Sequence, residues 1–146
     1  MAQGDIVFYN NFKEQCWEGV FQLQNGGHTL RVTLHTGYTP DIDAHTVWAD
    51  VSATEYGTGG GYTAGGATLA GQDVTQDNTN DRAVFDATDV TWNNLNLSPA
   101  TPAHAILWDD TPAGDPLIAC IELGSTATNG GNYTLQWNAS GIGMLT

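Results

Sequence analysis

His28-Thr29-Leu30-Arg31-Val32-Thr33-Leu34-His35 decides the fold class. Leu30, Val32 and Leu34 alternate with Thr29, Arg31, Thr33 and His35, the period-two pattern of a strand with two distinct faces. Just ahead of it, Asn25-Gly26-Gly27 carries residues that accept positive φ, the signature of a tight hairpin turn. Val20 to Gln24 alternates likewise, so Val20 to His35 reads as a hairpin. The pattern recurs at Arg82 to Ala87, after the Asx-rich turn Asp77-Asn78-Thr79-Asn80-Asp81, and at Asp89 to Trp92. Ala103 to Trp108, Leu117 to Leu123, Tyr133 to Trp137 and Ile142 to Leu145 follow. Pro99, Pro102, Pro112 and Pro116 all fall outside strand interiors, where a missing N–H does no harm. Short strands with turn chemistry every eight to twelve residues predict an all-β fold, an antiparallel β-sandwich or jelly-roll-like barrel.

One helix interrupts this. Phe12, Cys16 and Val20 recur at helical spacing over about residues 11–18, with Asn10 or Asn11 as N-cap and Gly19 as terminator. A second turn of helix is expected within Asp43 to Asp50, with Ala44, Val47 and Trp48 on one side. The 146 residues, with 40% apolar content and five Trp, suffice for one domain spanning 1–146 with a filled core. The longest irregular tract runs over about residues 36–66. Its centre, Tyr56-Gly57-Thr58-Gly59-Gly60-Gly61-Tyr62, reads as a flexible aromatic recognition loop.

Charge sets the partners. Lys13, Arg31 and Arg82 stand against sixteen carboxylates, a formal net charge of −13. Such a surface repels nucleic acid and anionic membrane, because affinity for both comes mainly from Lys and Arg. It also leaves few ion pairs to hold the fold, so apolar burial and backbone ladders must. The longest apolar runs, such as Leu117-Ile118-Ala119-Cys120-Ile121, are far short of a membrane span. Met1-Ala2-Gln3-Gly4-Asp5 lacks the features of a secretory leader, so a product made in the cytoplasm is expected. Cys16 and Cys120 are then expected as reduced, buried thiols.

No motif brings chemistry with it. Asp41-Ile42-Asp43-Ala44-His45 alternates potential metal ligands, and Asp77, Asn78, Asn80 and Asp81 resemble the start of a calcium loop. The Gly and Glu that such a loop requires are missing. The glycine run at 57–61 lacks the Gly-Lys-Ser/Thr of a phosphate cradle, and no serine sits in a nucleophile elbow. Asp86, Asp89, Asp109, Asp110 and Glu122 offer carboxylate pairs for glycoside hydrolysis, but with sixteen carboxylates chance supplies such pairs. No catalytic residue, metal ligand or cofactor is therefore assigned, and the chain is read as a non-enzyme. Trp92, Trp108 and Trp137 fit the core, whereas Trp48, Tyr56 and Tyr62 in the long tract could stack on sugar rings.

Five phrases add a resemblance. They are Tyr38-Thr39-Pro40-Asp41-Ile42-Asp43-Ala44-His45, Gly61-Tyr62-Thr63-Ala64-Gly65-Gly66, Val84-Phe85-Asp86-Ala87-Thr88-Asp89-Val90-Thr91-Trp92, Asp115-Pro116-Leu117-Ile118 and Leu135-Gln136-Trp137-Asn138-Ala139-Ser140-Gly141-Ile142. As a set, covering the chain from about position 38 onward, they resemble small structural proteins of tailed bacteriophages. The resemblance implies a virion protein, foremost a capsid decoration (cement) protein that binds the major capsid protein without catalysis. A homotrimer on a threefold position would let a short chain bridge several subunits. The contact is expected in the N-terminal segment, through Phe8, Tyr9, Phe12 and Trp17, or in the long tract, through Trp48, Tyr56 and Tyr62. For Phe12 and Trp17 the competing role is docking the helix onto the sheet. The alternative function is a carbohydrate- or receptor-binding module of a head or tail fibre.

Overall fold

A computed structural model describes residues 1–146. In chain order the elements are β1 (Ile6–Phe8), α1 (Asn10–Glu18), β2 (Leu30–His35), α2 (Trp48–Val51) with a 3-10 turn at Ser52–Thr54, and β3 (Ala67–Thr68). Then come β4 (Asp73–Asp77), β5 (Arg82–Asp86), β6 (Val90–Leu95), β7 (His104–Asp109), β8 (Leu117–Glu122), β9 (Gly131–Leu135) and β10 (Gly143–Leu145). They pair antiparallel into a five-stranded sheet β1-β8-β7-β2-β3, a three-stranded sheet β10-β5-β4 and a two-stranded ribbon β6-β9. The fold is all-β, of the sandwich type.

The large sheet is covered on both faces. Leu30, Val32 and Leu34 share one face with Ala105, Leu107 and Asp109 of the paired β7. The three-stranded sheet closes that side, since a Cβ at Gly143 would strike the ring of Phe8, which shares the face through Ala119 and Leu107. Tyr62 lies at the edge of β2, its hydroxyl accepting the Leu34 N–H at 3.1 Å, and its ring leads on to Trp92 of the ribbon. Thr33, His35, His104, Ile106 and Trp108 occupy the opposite face. Tyr38 packs against the His35 and His104 rings there, and Trp48 stacks on Trp108 at 4.6 Å and 17°. Every residue of β7 is consequently buried, as are all of β8 except Glu122 and all of β2 except Arg31. Trp92, Trp108 and Trp137 are core residues, as their alternation predicts.

The tract expected to be a flexible loop is instead a strap tied across the sheet. Tyr56 N–H donates to Leu34 O, Thr36 N–H to Thr54 O, and Trp48 N–H to Asp115 O. Its glycine run makes a tight turn in which Gly59 and Tyr62 exchange backbone bonds. Gly66, at φ +70°, lets β3 approach β2 so closely that a Cβ would strike the Val32 carbonyl.

Four local expectations need correction. The turn at 25–27 forms, with Gly27 N–H on Gln24 O, but Val20 to Gln24 is not a strand. Both edges of β2 are already occupied by β3 and β7, and Phe21 is claimed by the helix, packed edge-on to Phe12 at 4.8 Å. The N-cap position of α1 is Tyr9, without a side-chain cap bond. Asn10 instead donates to Asp43 Oδ1 and accepts from Lys13 Nζ. Gly19 ends the helix in the left-handed region as expected. The second helical turn begins at Trp48, because Asp50 Oδ2 accepts the N–H groups of Thr46 and Val47 and fixes the start there. Of the two thiols, Cys120 is buried but Cys16 is exposed on α1.

Candidate functional site

The densest collection of chemistry-bearing side chains lies beneath the strap. Tyr9 and Tyr38 hydroxyls meet at 2.8 Å, and Tyr38 also reaches His45 Nδ1 at 2.8 Å. His104 Nε2 lies 3.0 Å from Glu122 Oε2, its cross-strand neighbour. His35 bonds Thr54 Oγ1 through Nδ1 and Thr33 Oγ1 through Nε2, both at 2.9 Å. The Thr54 hydroxyl gives its proton to Val51 O at 2.9 Å, so it accepts from His35 Nδ1–H, and Nε2 accepts from Thr33.

Burial, and then the neighbouring His104, push the His35 imidazole down to about 3. Burial likewise raises Tyr38 to about 12 and Cys120 to about 12, and carries Tyr9 higher still. These groups stay neutral at physiological pH. Hydrogen bonds tie the strap to β2 through Thr54 and His35, and to Tyr9 at the start of α1 through Tyr38, while His104 Nδ1 is buried without a hydrogen-bond partner. Asp41 and His45 of the alternating motif are engaged locally: Asp41 Oδ1 accepts the N–H groups of Asp43 and Ala44, and His45 meets Tyr38.

The carboxylates considered for hydrolysis are engaged separately. Asp109 is fully buried, with His28 Nδ1 at 2.7 Å on Oδ2 and the Thr111 N–H at 3.0 Å on Oδ1. Burial raises its pKa, opposed by the bond to His28. Asp110 pairs with Arg31, Glu122 with His104, and Asp89 accepts the Trp137 N–H. Asp86 stands opposite Asp73 on the outer face of the β4–β5 hairpin. That face forms a shallow concavity of about 550 Å³ edged by Asp73, Thr75, Asp77, Arg82, Val84 and Asp86. Arg82, its single cation, is taken up by Asp77 at 2.8 Å, and Asp77 is held below the usual carboxylate range by Asn80, Arg82 and turn N–H groups.

The seven aromatic contact candidates separate sharply. Tyr9, Phe12 and Tyr62 are buried, so their side chains serve the fold rather than its surface. Phe8 stacks on Phe12 at 5.3 Å, Trp48 is stacked on Trp108, and Tyr56 packs edge-on to Tyr62; all three are half-buried. Trp17 alone projects into solvent, 83% exposed, on the face of α1 that does not dock. The helix is anchored through Phe12, which divides the two roles weighed for the pair. Sequence reasoning missed β4 altogether. Its signal was Val74-Thr75-Gln76, a β-branched pair leading directly into the Asx turn whose other side, β5, was recognised. Comparison with protein-family models, with curated proteins and with solved structures gives no match.

Proposed function

We propose that this chain is a structural virion protein of a tailed bacteriophage, a capsid decoration (cement) protein that binds the major capsid protein without catalysis, as a homotrimer. The observation that carries the reading is Trp17. A Trp left 83% exposed forgoes burial free energy that the fold offers every other Trp, while Phe12 and Phe21 already secure the helix. Exposed Trp on a pinned helix is the kind of anchor that dominates protein–protein contacts. The phrases between Tyr38 and Ile142 supply the phage context, and the charge of −13 disfavours adhesion to packaged DNA. The fibre reading is weaker, because Tyr62 is buried and one face of Trp48 is committed to Trp108.

The test is co-sedimentation of purified protein with the capsids of its own phage, and its copy number in purified virions. One copy per capsid subunit, or a simple fraction of that, is expected. A few copies per particle would assign the chain to the tail or neck instead. Trp17→Ala should leave the unfolding free energy within about 0.5 kcal/mol, the range of surface changes. It should weaken shell binding by roughly 30-fold, the loss of a 2 kcal/mol anchor.

A further inference from the structure

We propose that the free edge of β4 is a docking site for an extended, basic segment of a partner polypeptide, which adds a fourth strand beside β4 in the β10-β5-β4 sheet. The inference deepens the binding reading above and rests on it only in that the chain's task is to hold other protein. β4 is the terminal strand of its sheet, and its first four residues are exposed. The Val74 N–H bonds Asp73 Oδ1 at 2.9 Å, so it does not point at β5. In a strand, alternate residues direct both backbone groups to the same side. Val74 and Gln76 therefore present their N–H and C=O groups outward, the template that strand addition uses.

Charge selects the occupant. Asp73 and Asp86 stand directly opposite each other across the hairpin, a like-charge pair that destabilises the sheet. Neither has a cation, since Arg82 is spent on Asp77. A second copy of this chain is a poor occupant: antiparallel pairing of two β4 edges about Thr75 would set Asp73 against Asp77 twice, between molecules of charge −13 each. A strand with Lys or Arg at alternate positions fits instead. Its cations would lie over the concavity at Asp73 and Asp86. Its intervening apolar side chains would meet Val74, which is 44% exposed on the other face.

The probe is a synthetic peptide alternating Lys and Val, titrated into the full-length protein and followed by amide NMR, with a Glu–Val peptide as control. The basic peptide should shift the Val74 and Gln76 amides and bind at least roughly tenfold more tightly than the acidic one. Raising NaCl from about 50 to about 500 mM should weaken it several-fold. Asp73→Asn with Asp86→Asn, isosteric and free of the like-charge pair, should keep the fold and lose roughly tenfold in affinity. Gln76→Pro, which removes an outward N–H, should abolish the Val74 shift. Absence of binding at millimolar peptide, equal binding of the acidic peptide, or shifts confined to other strands would each overturn the proposal. A protein that takes the peptide yet ignores capsids leaves the edge site standing and removes the cement reading. Capsid binding with no response to the peptide does the reverse.

Discussion

β7 and β4 are both antiparallel strands in one small domain, yet all of His104–Asp109 is buried while Asp73 to Gln76 lies open to solvent. β7 sits between two strands and between two layers; β4 has one neighbour, and residues on both of its faces are exposed. Ile106, Leu107 and Trp108 contribute apolar area, whereas Asp73 and Asp77 contribute charge, and Val74 and Gln76 contribute outward backbone groups. The contrast separates two tasks within one ladder chemistry. Stability is concentrated in the centre of the large sheet, and the small sheet is left available for contact.

Leu107→Ala tests the first half of that contrast most severely. Removing a fully buried side chain between two layers should cost about 2–5 kcal/mol, read as a shift of the urea midpoint at unchanged slope. A cost below about 1 kcal/mol would mean the central sheet is not where stability resides.

Acid should strike the same region. His35 has a folded pKa of about 3 against an ordinary value of 6.5, so the unfolded chain binds a proton that the native state refuses. Its contribution is complete above pH 6.5 and is lost as pH falls toward 3, on the order of 5 kcal/mol in total. His104 and Glu122 border the site, and the many surface carboxylates titrate in the same range. The readout is therefore the difference between wild type and His35→Gln. The variant is less stable at pH 8, and the gap between the two proteins closes as pH drops. Parallel stability curves would show that His35 is not the acid-sensitive group.

Gly66→Ala probes how the strap is seated on the sheet edge. A side chain there meets the Val32 carbonyl in a left-handed backbone, so a loss of about 2 kcal/mol is expected by thermal melting. Gly26→Ala, equally left-handed but facing open space, should cost about 1 kcal/mol at most. Val74→Ala has the smallest effect, within about 0.5 kcal/mol. A loss comparable to that of Leu107→Ala would erase the distinction between the two strands.

Much of this was legible from residue order. The strands at 30–35, 82–86, 104–109 and 117–122 lie within two residues of where the sequence pattern predicts them. The helix ends at Gly19, because a left-handed cap is a property of the residue itself. Val20 to Gln24 alternates as well as any of these but forms no strand, since pairing requires a free neighbour and β2 had none. The long tract looked mobile because glycine reports local freedom. It is held instead by bonds to residues outside it, among them the Leu34 N–H on the Tyr62 hydroxyl and the Asp115 carbonyl on the Trp48 N–H. Of the candidate contact residues, Trp17 and Phe12 look alike in sequence, and only the direction in which the helix docks tells them apart.

Sequence alone determined the strand-rich class, the N-terminal helix and its stop, and the anionic surface, because each follows from a residue's own conformational preference or charge. Tertiary structure alone decided which alternating segments pair, that both faces of β7 are sealed, and that Trp17 and the β4 edge remain exposed. Pairing and burial are competitions between distant segments for the same neighbours, and their outcome is a property of the whole packed chain.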